Sequence, residues 1–279
     1  MILHSIEGNV QQLDGGAMFG NSPREVWQKW AKPDDRNRIR LACRGLLMVD
    51  DDGRKILFEA GIGNFFEEKL RERYGVLEAE NVLVQNLEKQ GFPHDEIDFV
   101  VLSHLHFDHA GGLLERLSDG SFKLLFPKAK FVVSDVQFKR ALSPHLRDRA
   151  SYIPELNQML KDSGRLTVVS TESSESPISG VRFSISNGHT PGLLISIISP
   201  DNSPTVFISD LIPASPWVHC PITMGYDRYP ELLIDEKKKI LDFILNKNGK
   251  IFFTHDCDMP FGKLQIDNKG KYSVKTCAE

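Results

Sequence analysis

Apolar and β-branched residues gather in short runs along the chain, and the stretches between them repeat at helical spacing. Ile2–Ile6, Ile39–Val49 and Lys55–Glu59 read as strands, with Asp50-Asp51-Asp52-Gly53 as the hairpin turn between the last two. Pro23–Trp30 places Val26, Trp27 and Trp30 on one helical face, after a glycine-flanked Met18-Phe19. Asn64 caps a predicted helix through Phe65–Tyr74, and Ala79–Gln90 is helical with apolar residues at Val82, Val84 and Leu87 and Gly91 as its stop. Phe131-Val132-Val133 is a buried strand, Ser134 caps the helix after it, and Tyr152–Asp162 is a helix ended by Gly164. After the polar loop Thr171–Gly180, strands follow at Val181–Ser186, Leu193–Ile198 and Thr205–Ser209. Glu231–Leu245 is an amphipathic helix, and Lys250–Thr254 a last strand. Strands and helices alternate in two halves, which predicts an α/β protein with helices outside its sheets.

The stretch Ile97–Gly112 organises the rest. Its apolar run ends abruptly in His104, His106, Asp108 and His109, three imidazoles and a carboxylate within six residues. Neutral imidazole and carboxylate suit zinc or a similar divalent first-row metal. The i, i+2 spacing of His104 and His106 lets both rings face one side, which leaves Asp108 and His109 for a second centre. Four ligands are few for two metals. Three more ligand-type residues stand at the ends of apolar strands: His189 after FSISNG, Asp210 after TVFIS and His255 after IFFT. Open α/β sheets bind ligands beyond strand C-termini, so these ends can converge. The remaining histidines read as surface residues, with His219 at most at a pocket rim.

Composition narrows the class. The chain has 279 residues, 41% hydrophobic and 26% charged, and a formal charge of −4, as in an ordinary soluble globular protein. The longest basic run, Lys237-Lys238-Lys239, lies in a helical pattern and reads as a solvated face, so no basic patch points to a nucleic-acid partner. No apolar stretch approaches the ~20 residues of a membrane span, and the N-terminus lacks a signal-peptide pattern. Cys43, Cys220, Cys257 and Cys277 are scattered without CxxC spacing, so the cytoplasm is the expected setting.

His104-Leu105-His106-Phe107-Asp108-His109 resembles the HxHxDH motif of the metallo-β-lactamase superfamily, and Gly188–Gly192 (GHTPG), Asp210 and His255 match its later ligands. The resemblance covers nearly the whole chain. It implies a single domain over residues 1–279, a four-layer αββα sandwich with its metals at one edge of the sheets. It also implies two divalent ions per chain, zinc first, with iron, manganese or cobalt accepted by the same ligands. His104, His106 and His189 would hold one, Asp108, His109 and His255 the other, and Asp210 would bridge.

GGAMFG, Asn37–Met48 and Asp210–Asp227 resemble the branch that opens N-acyl homoserine lactones in quorum quenching. That likeness implies a hydrolase of lactone or ester bonds, using a metal-bridging hydroxide, with Asp108 as proton donor to the leaving group. Two departures stand out. The family's usual Asp-Thr-Gly is Glu59-Ala60-Gly61, and Pro213 replaces a tyrosine common in such lactonases, so the expected phenol is Tyr226, then Tyr229. Met18, Phe19, Trp27 and Trp30, with Phe65 and Phe66, read as a mobile apolar flap over the substrate's acyl or aromatic part. The tryptophans suit a homodimer contact equally well. Competing activities on the same site are a thioesterase, a phosphoesterase and a mononuclear non-haem iron oxidoreductase.

Overall fold

The computed structural model describes residues 1–199 and 203–278. In chain order its elements are β1 (Ile2–Ile6), β2 (Val10–Asp14), α1 (Gly15–Phe19), α2 (Arg24–Trp27), β3 (Arg38–Ala42), β4 (Gly45–Val49), β5 (Lys55–Phe58), α3 (Glu68–Tyr74) and α4 (Val82–Lys89). Then come β6 (Phe99–Val101), α5 (Phe107–Ala110), β7 (Leu114–Arg116), β8 (Phe122–Leu124), β9 (Lys130–Ser134), α6 (Asp135–Leu142), α7 (Pro154–Asp162) and β10 (Leu166–Val169). The remainder is β11 (Val181–Ser186), β12 (Leu193–Ile198), β13 (Thr205–Phe207), α8 (Pro230–Asn246), β14 (Lys250–Phe252), β15 (Phe261–Ile266) and β16 (Tyr272–Thr276). No helix among the described residues is long and apolar enough to cross a membrane.

The chain divides into two compact units, Met1–Gln11 with Ala42–Thr171, and Gln12–Leu41 with Glu172–Glu279. The first holds a six-stranded sheet in the order β1-β4-β5-β6-β9-β10. Its β1–β4–β5 part is antiparallel, and β5, β6, β9 and β10 run parallel. Leu47, Leu57, Val100, Phe131 and Val133 from these strands share one core with Leu83 and Leu87 of α4 and Leu156 and Leu160 of α7. The second unit holds the sheet β11-β12-β13-β14-β15-β16, antiparallel except for the parallel pair β13–β14. Ile195, Val206, Ile251 and Leu264 pack there with Leu233, Ile240, Leu241 and Ile244 of α8.

Several predicted elements change at their edges. The run Ile39–Val49 is two strands, because the chain switches sheets at Cys43-Arg44: β3 pairs with β2, β4 with β1. At the switch Arg44 is buried and forks onto Glu7 at 2.7 and 2.9 Å. The helix predicted from Phe65 starts at Glu68, since Phe65 and Phe66 turn into an aromatic cluster. In α4 the cap is Asn81, whose side chain accepts from Val84 N, and the buried positions are Leu83 and Leu87, one i, i+4 stripe. Ser134 caps α6 as its residue type predicts, accepting from Gln137 N at 3.1 Å. The hairpin β15–β16 escaped prediction because Lys263, Gln265, Ser273 and Lys275 interrupt its apolar residues and no apolar run marks it.

Candidate metal centre

Four strands end three residues short of a ligand-type side chain: Val101 before His104, Ser186 before His189, Phe207 before Asp210 and Phe252 before His255. The spacing is the distance a chain needs to leave the ladder and turn its side chain over the strand's carboxyl end, where α/β sheets place their ligands.

In the first unit, β6 delivers Ser103 and His104. Ser103 N donates to Glu59 Oε1 at 3.1 Å, and Ser103 Oγ lies 2.8 Å from His104 Nδ1. The other nitrogen, His104 Nε2, faces His106 Nδ1 at 3.0 Å. His106 is pinned by a backbone bridge to Tyr152, and its carbonyl accepts from His109 N and Ala110 N, which starts α5. Asp108 and His109 lie on that short helix. Asp108 Oδ2 accepts from the buried Gln11 Nε2 at 2.9 Å, and Asp108 Oδ1 is 3.8 Å from His109 Nε2. Glu59, His104 and His109, all buried, bring ligand atoms within 4.8 Å of one another. Gly111-Gly112 follows α5 in a 3₁₀ turn and serves close approach. A Cβ on Gly112 would fall 1.9 Å from Ala60 O, so only glycine lets α5 pack on the loop after β5.

In the second unit, β13 and β14 are paired in parallel, Phe207 opposite Phe252. Three residues on, Asp210 and His255 meet, Oδ1 to Nε2 at 3.1 Å. Ser209, at φ 46°, takes the left-handed conformation that aims Asp210. The other oxygen, Asp210 Oδ2, lies 3.2 Å from His189 Nε2. His189 Nδ1 is 2.9 Å from Asp227 Oδ1, and Asp227 Oδ2 accepts from Met224 N at 2.6 Å.

These donor sets fit divalent metal. A tetrahedral ion at 2.0–2.1 Å from its ligands separates them by roughly 3.3 Å, close to the 3.0 Å between the His104 and His106 nitrogens and the 3.1 and 3.2 Å around Asp210. A metal on Nε2 also requires the ring proton on Nδ1, and Ser103 Oγ and Asp227 Oδ1 stand where they accept it. Sequence reasoning assigned no role to Ser103, Gln11 or Asp227, and saw in Glu59 only a departure from the family pattern. Gln11 and Asp227 lie 97 and 38 positions from their partners, which no local pattern reports, and Ser103 is signalled only by standing next to His104.

The expected flap is a packed plug. Met18, Phe19 and Trp27 are 3%, 0% and 2% exposed and belong to the core of the second unit. The Phe19 ring stacks on Trp217 at 4.2 Å and on Trp27 at 5.4 Å, and Trp217 Nε1 donates to Met18 O. Asp14 caps α1 through Ala17 N. Trp30 alone of this group is open, 45% exposed, on a cleft of about 370 Å³ lined also by Arg40, Pro216, His255 and Asp256. Phe65 and Phe66 sit in the first unit and pack on each other, with Phe122, Tyr74 and Phe107 around them. Tyr226 and Tyr229 are 43% and 50% exposed. Lys237, expected on a solvated face, is instead buried, and burial draws its ammonium pKa down to about 8, against the pull of Asp227 and Cys220.

Residues 46–255 match the family model described as the metallo-beta-lactamase superfamily. An N-acyl homoserine lactonase of Bacillus thuringiensis is 24% identical over 190 residues, 64% of this chain and 64% of that protein, so the match spans less than two thirds of the lactonase's length. A probable metallo-hydrolase of Mycobacterium tuberculosis is 30% identical over 125 residues, 41% of this chain and 36% of that protein. Among solved structures, a probable metal-dependent hydrolase from Staphylococcus aureus superposes with a TM-score of 0.87 at 26% identity, covering 100% of this chain and 98% of that one. A dizinc quorum-quenching lactonase, solved with the product N-hexanoyl-L-homoserine, gives 0.79 at 22% identity over 99% and 94%.

Proposed function

The chain belongs to the metallo-beta-lactamase superfamily; from this we propose that it is a metal-dependent hydrolase that opens the ring of a lactone, an N-acyl homoserine lactone being the first candidate. The observation that carries the reading is Asp210, whose two oxygens each face the Nε2 of a different histidine at 3.2 and 3.1 Å. A carboxylate so placed is built to bridge two ions. We assign His104, His106 and His189 to one ion and Asp108, His109 and His255 to the other, with residues 1–279 working as one catalytic domain. Zinc is the proposed metal, since histidine nitrogen and carboxylate oxygen are its common ligands. The cytoplasm is the proposed setting.

When bound, the metal pair supplies a nucleophile available near neutral pH and a Lewis acid for the ester carbonyl. The chain's own groups do the rest. Ser103 and Asp227 hold the rings of His104 and His189 in one tautomer. Asp108 takes the proton released by the attacking water and passes it to the leaving alkoxide oxygen, a general acid–base role. Gln11 Nε2 fixes the Asp108 carboxylate for that transfer. Tyr226 supplies a phenol to the substrate carbonyl, in place of the tyrosine that Pro213 displaces.

The test is proton release from short- and long-chain acyl homoserine lactones by protein confirmed to hold two metals per chain. Fast ring opening, abolished by chelator and restored by zinc, is the expected result. No turnover by fully metallated protein rejects the lactone substrate, and thioesters and phosphoesters are then assayed on the same preparation.

A further inference from the structure

Helix α8 carries a lysine for which hydrolysis has no evident use. Lys237 is fully buried, and its Nζ donates to Ile222 O at 2.6 Å. An ammonium is a poor choice for a core position that methionine would fill, unless its charge and its hydrogen bond serve something. The loop it holds answers the question. Two residues past Ile222, Met224 N donates to Asp227 Oδ2, and Asp227 Oδ1 is the partner of His189 Nδ1.

The residue before it on the helix, Glu236, holds the other side of the same histidine. Its carboxylate accepts from Ser186 Oγ at 2.6 Å, Asn187 N at 2.9 Å and Gly188 N at 3.0 Å. Successive helical residues point about 100° apart, so one turn of α8 can reach both loops. The two loops are also tied to each other, because Arg228 N and Tyr229 N both donate to Gly188 O. Gly188 fits against the helix only without a side chain, since a Cβ there would lie 2.5 Å from Leu233 Cα.

We propose that Glu236 and Lys237 form a two-armed clamp that orients His189, Glu236 by fixing the loop that carries the imidazole and Lys237 by fixing the loop that carries its Asp227 partner. Both are positioning residues. The clamp's use rests on His189 being a metal ligand, as proposed above, whereas its geometry does not. It sets the ring so that Nδ1 meets Asp227 and Nε2 faces Asp210. The Ile222–Asp227 loop has further anchors, Asn21 Oδ1 accepting from Thr223 N and Ala17 O accepting from Gly225 N, so losing the lysine leaves the loop attached.

The measurement is imidazole NMR on ¹⁵N-labelled, chelator-stripped protein, with His189 assigned from a His189→Gln sample. Lys237→Met is expected to keep a cooperative melt while the His189 Nδ1 proton exchanges at least tenfold faster and its tautomer becomes mixed. Glu236→Ala should do the same from the other arm. The His104 signals, fixed by Ser103, stay put in both. An unchanged His189 signal in folded Lys237→Met overturns the clamp, and if that variant does not fold, an unchanged signal in Glu236→Ala overturns it. Metal stoichiometry of the unaltered protein is read separately: fewer than two ions per chain would sink the dinuclear reading and leave the His189 result standing.

Discussion

Glu59 Oε2 lies 3.7 Å from His109 Nδ1, with both side chains fully buried. The other oxygen, Oε1, accepts from Ser103 N, next to His104. One carboxylate thus stands beside His109 and beside the peptide that leads into His104. A metal on His109 Nε2 draws electrons from the ring, and a carboxylate beside Nδ1 compensates. Glu59→Gln keeps the shape and removes the charge. It should weaken binding of the ion held by His109 by about 10–100-fold and leave the other ion in place, as read by chelator competition. Equal affinities for both ions in the variant would remove Glu59 from the site.

Phe19 is expected to matter for stability and Trp30 for substrate. Phe19 is sandwiched between Trp27 and Trp217 with no exposed surface. Phe19→Ala opens a cavity in a packed aromatic stack and should cost about 3–5 kcal/mol, seen in denaturant unfolding. Trp30 is open on its cleft. Trp30→Ala should change stability by no more than roughly 0.5 kcal/mol, while raising KM for bulky acyl substrates. Comparable destabilisation by both changes would show that the two rings share one structural role.

The four strand ends were legible because each joins an apolar run to a ligand-type residue within a few positions, and such runs are local. The tail hairpin was not, since Lys263, Gln265, Ser273 and Lys275 give β15–β16 the polarity of a loop. The ligand-type residues themselves could be picked out of the sequence as candidates. What orients them could not: Asp227 reaches His189 across 38 positions and Gln11 reaches Asp108 across 97, contacts that only the folded chain creates. Met18-Phe19 misled for a related reason. Glycines around an apolar Met-Phe pair look mobile, yet Gly20 at φ 46° lies so close to Thr223 O that a Cβ would stand 2.4 Å away, and the segment is wedged.

Asp210 faces both His189 and His255, so its loss should be worse than the loss of either partner. Asp210→Asn retains the size and one acceptor oxygen but cannot place charge on two ions. Activity should fall by more than the roughly 10–100-fold that losing an outer partner costs, and metal content should drop below two per chain by elemental analysis. Wild-type turnover with two bound ions would show that the bridge is dispensable.

Lys237 makes stability depend on pH in a way that identifies it. Its folded-state pKa is about 8, against 10.5 for the ordinary side chain, because burial disfavours the ammonium more than Asp227 and Cys220 favour it. The unfolded chain therefore binds this proton more tightly than the folded protein does. Below about pH 8 both states are charged and the fold carries the whole cost, on the order of 3 kcal/mol at 1.36 kcal/mol per pKa unit. From about pH 8 to about pH 10.5 the folded protein is largely neutral at this site while the unfolded chain is still protonated, so the cost declines and this contribution to stability rises with pH. Lys237→Met removes the term. The variant should be more stable than the parent at pH 7, and the gap should close as the pH approaches 10.5, measured by urea unfolding at matched ionic strength. A constant gap across that range would mean that the lysine's proton is bound equally in both states. A more stable but less well-ordered His189 at pH 7 is the joint outcome expected if the buried charge is kept for positioning at the expense of stability.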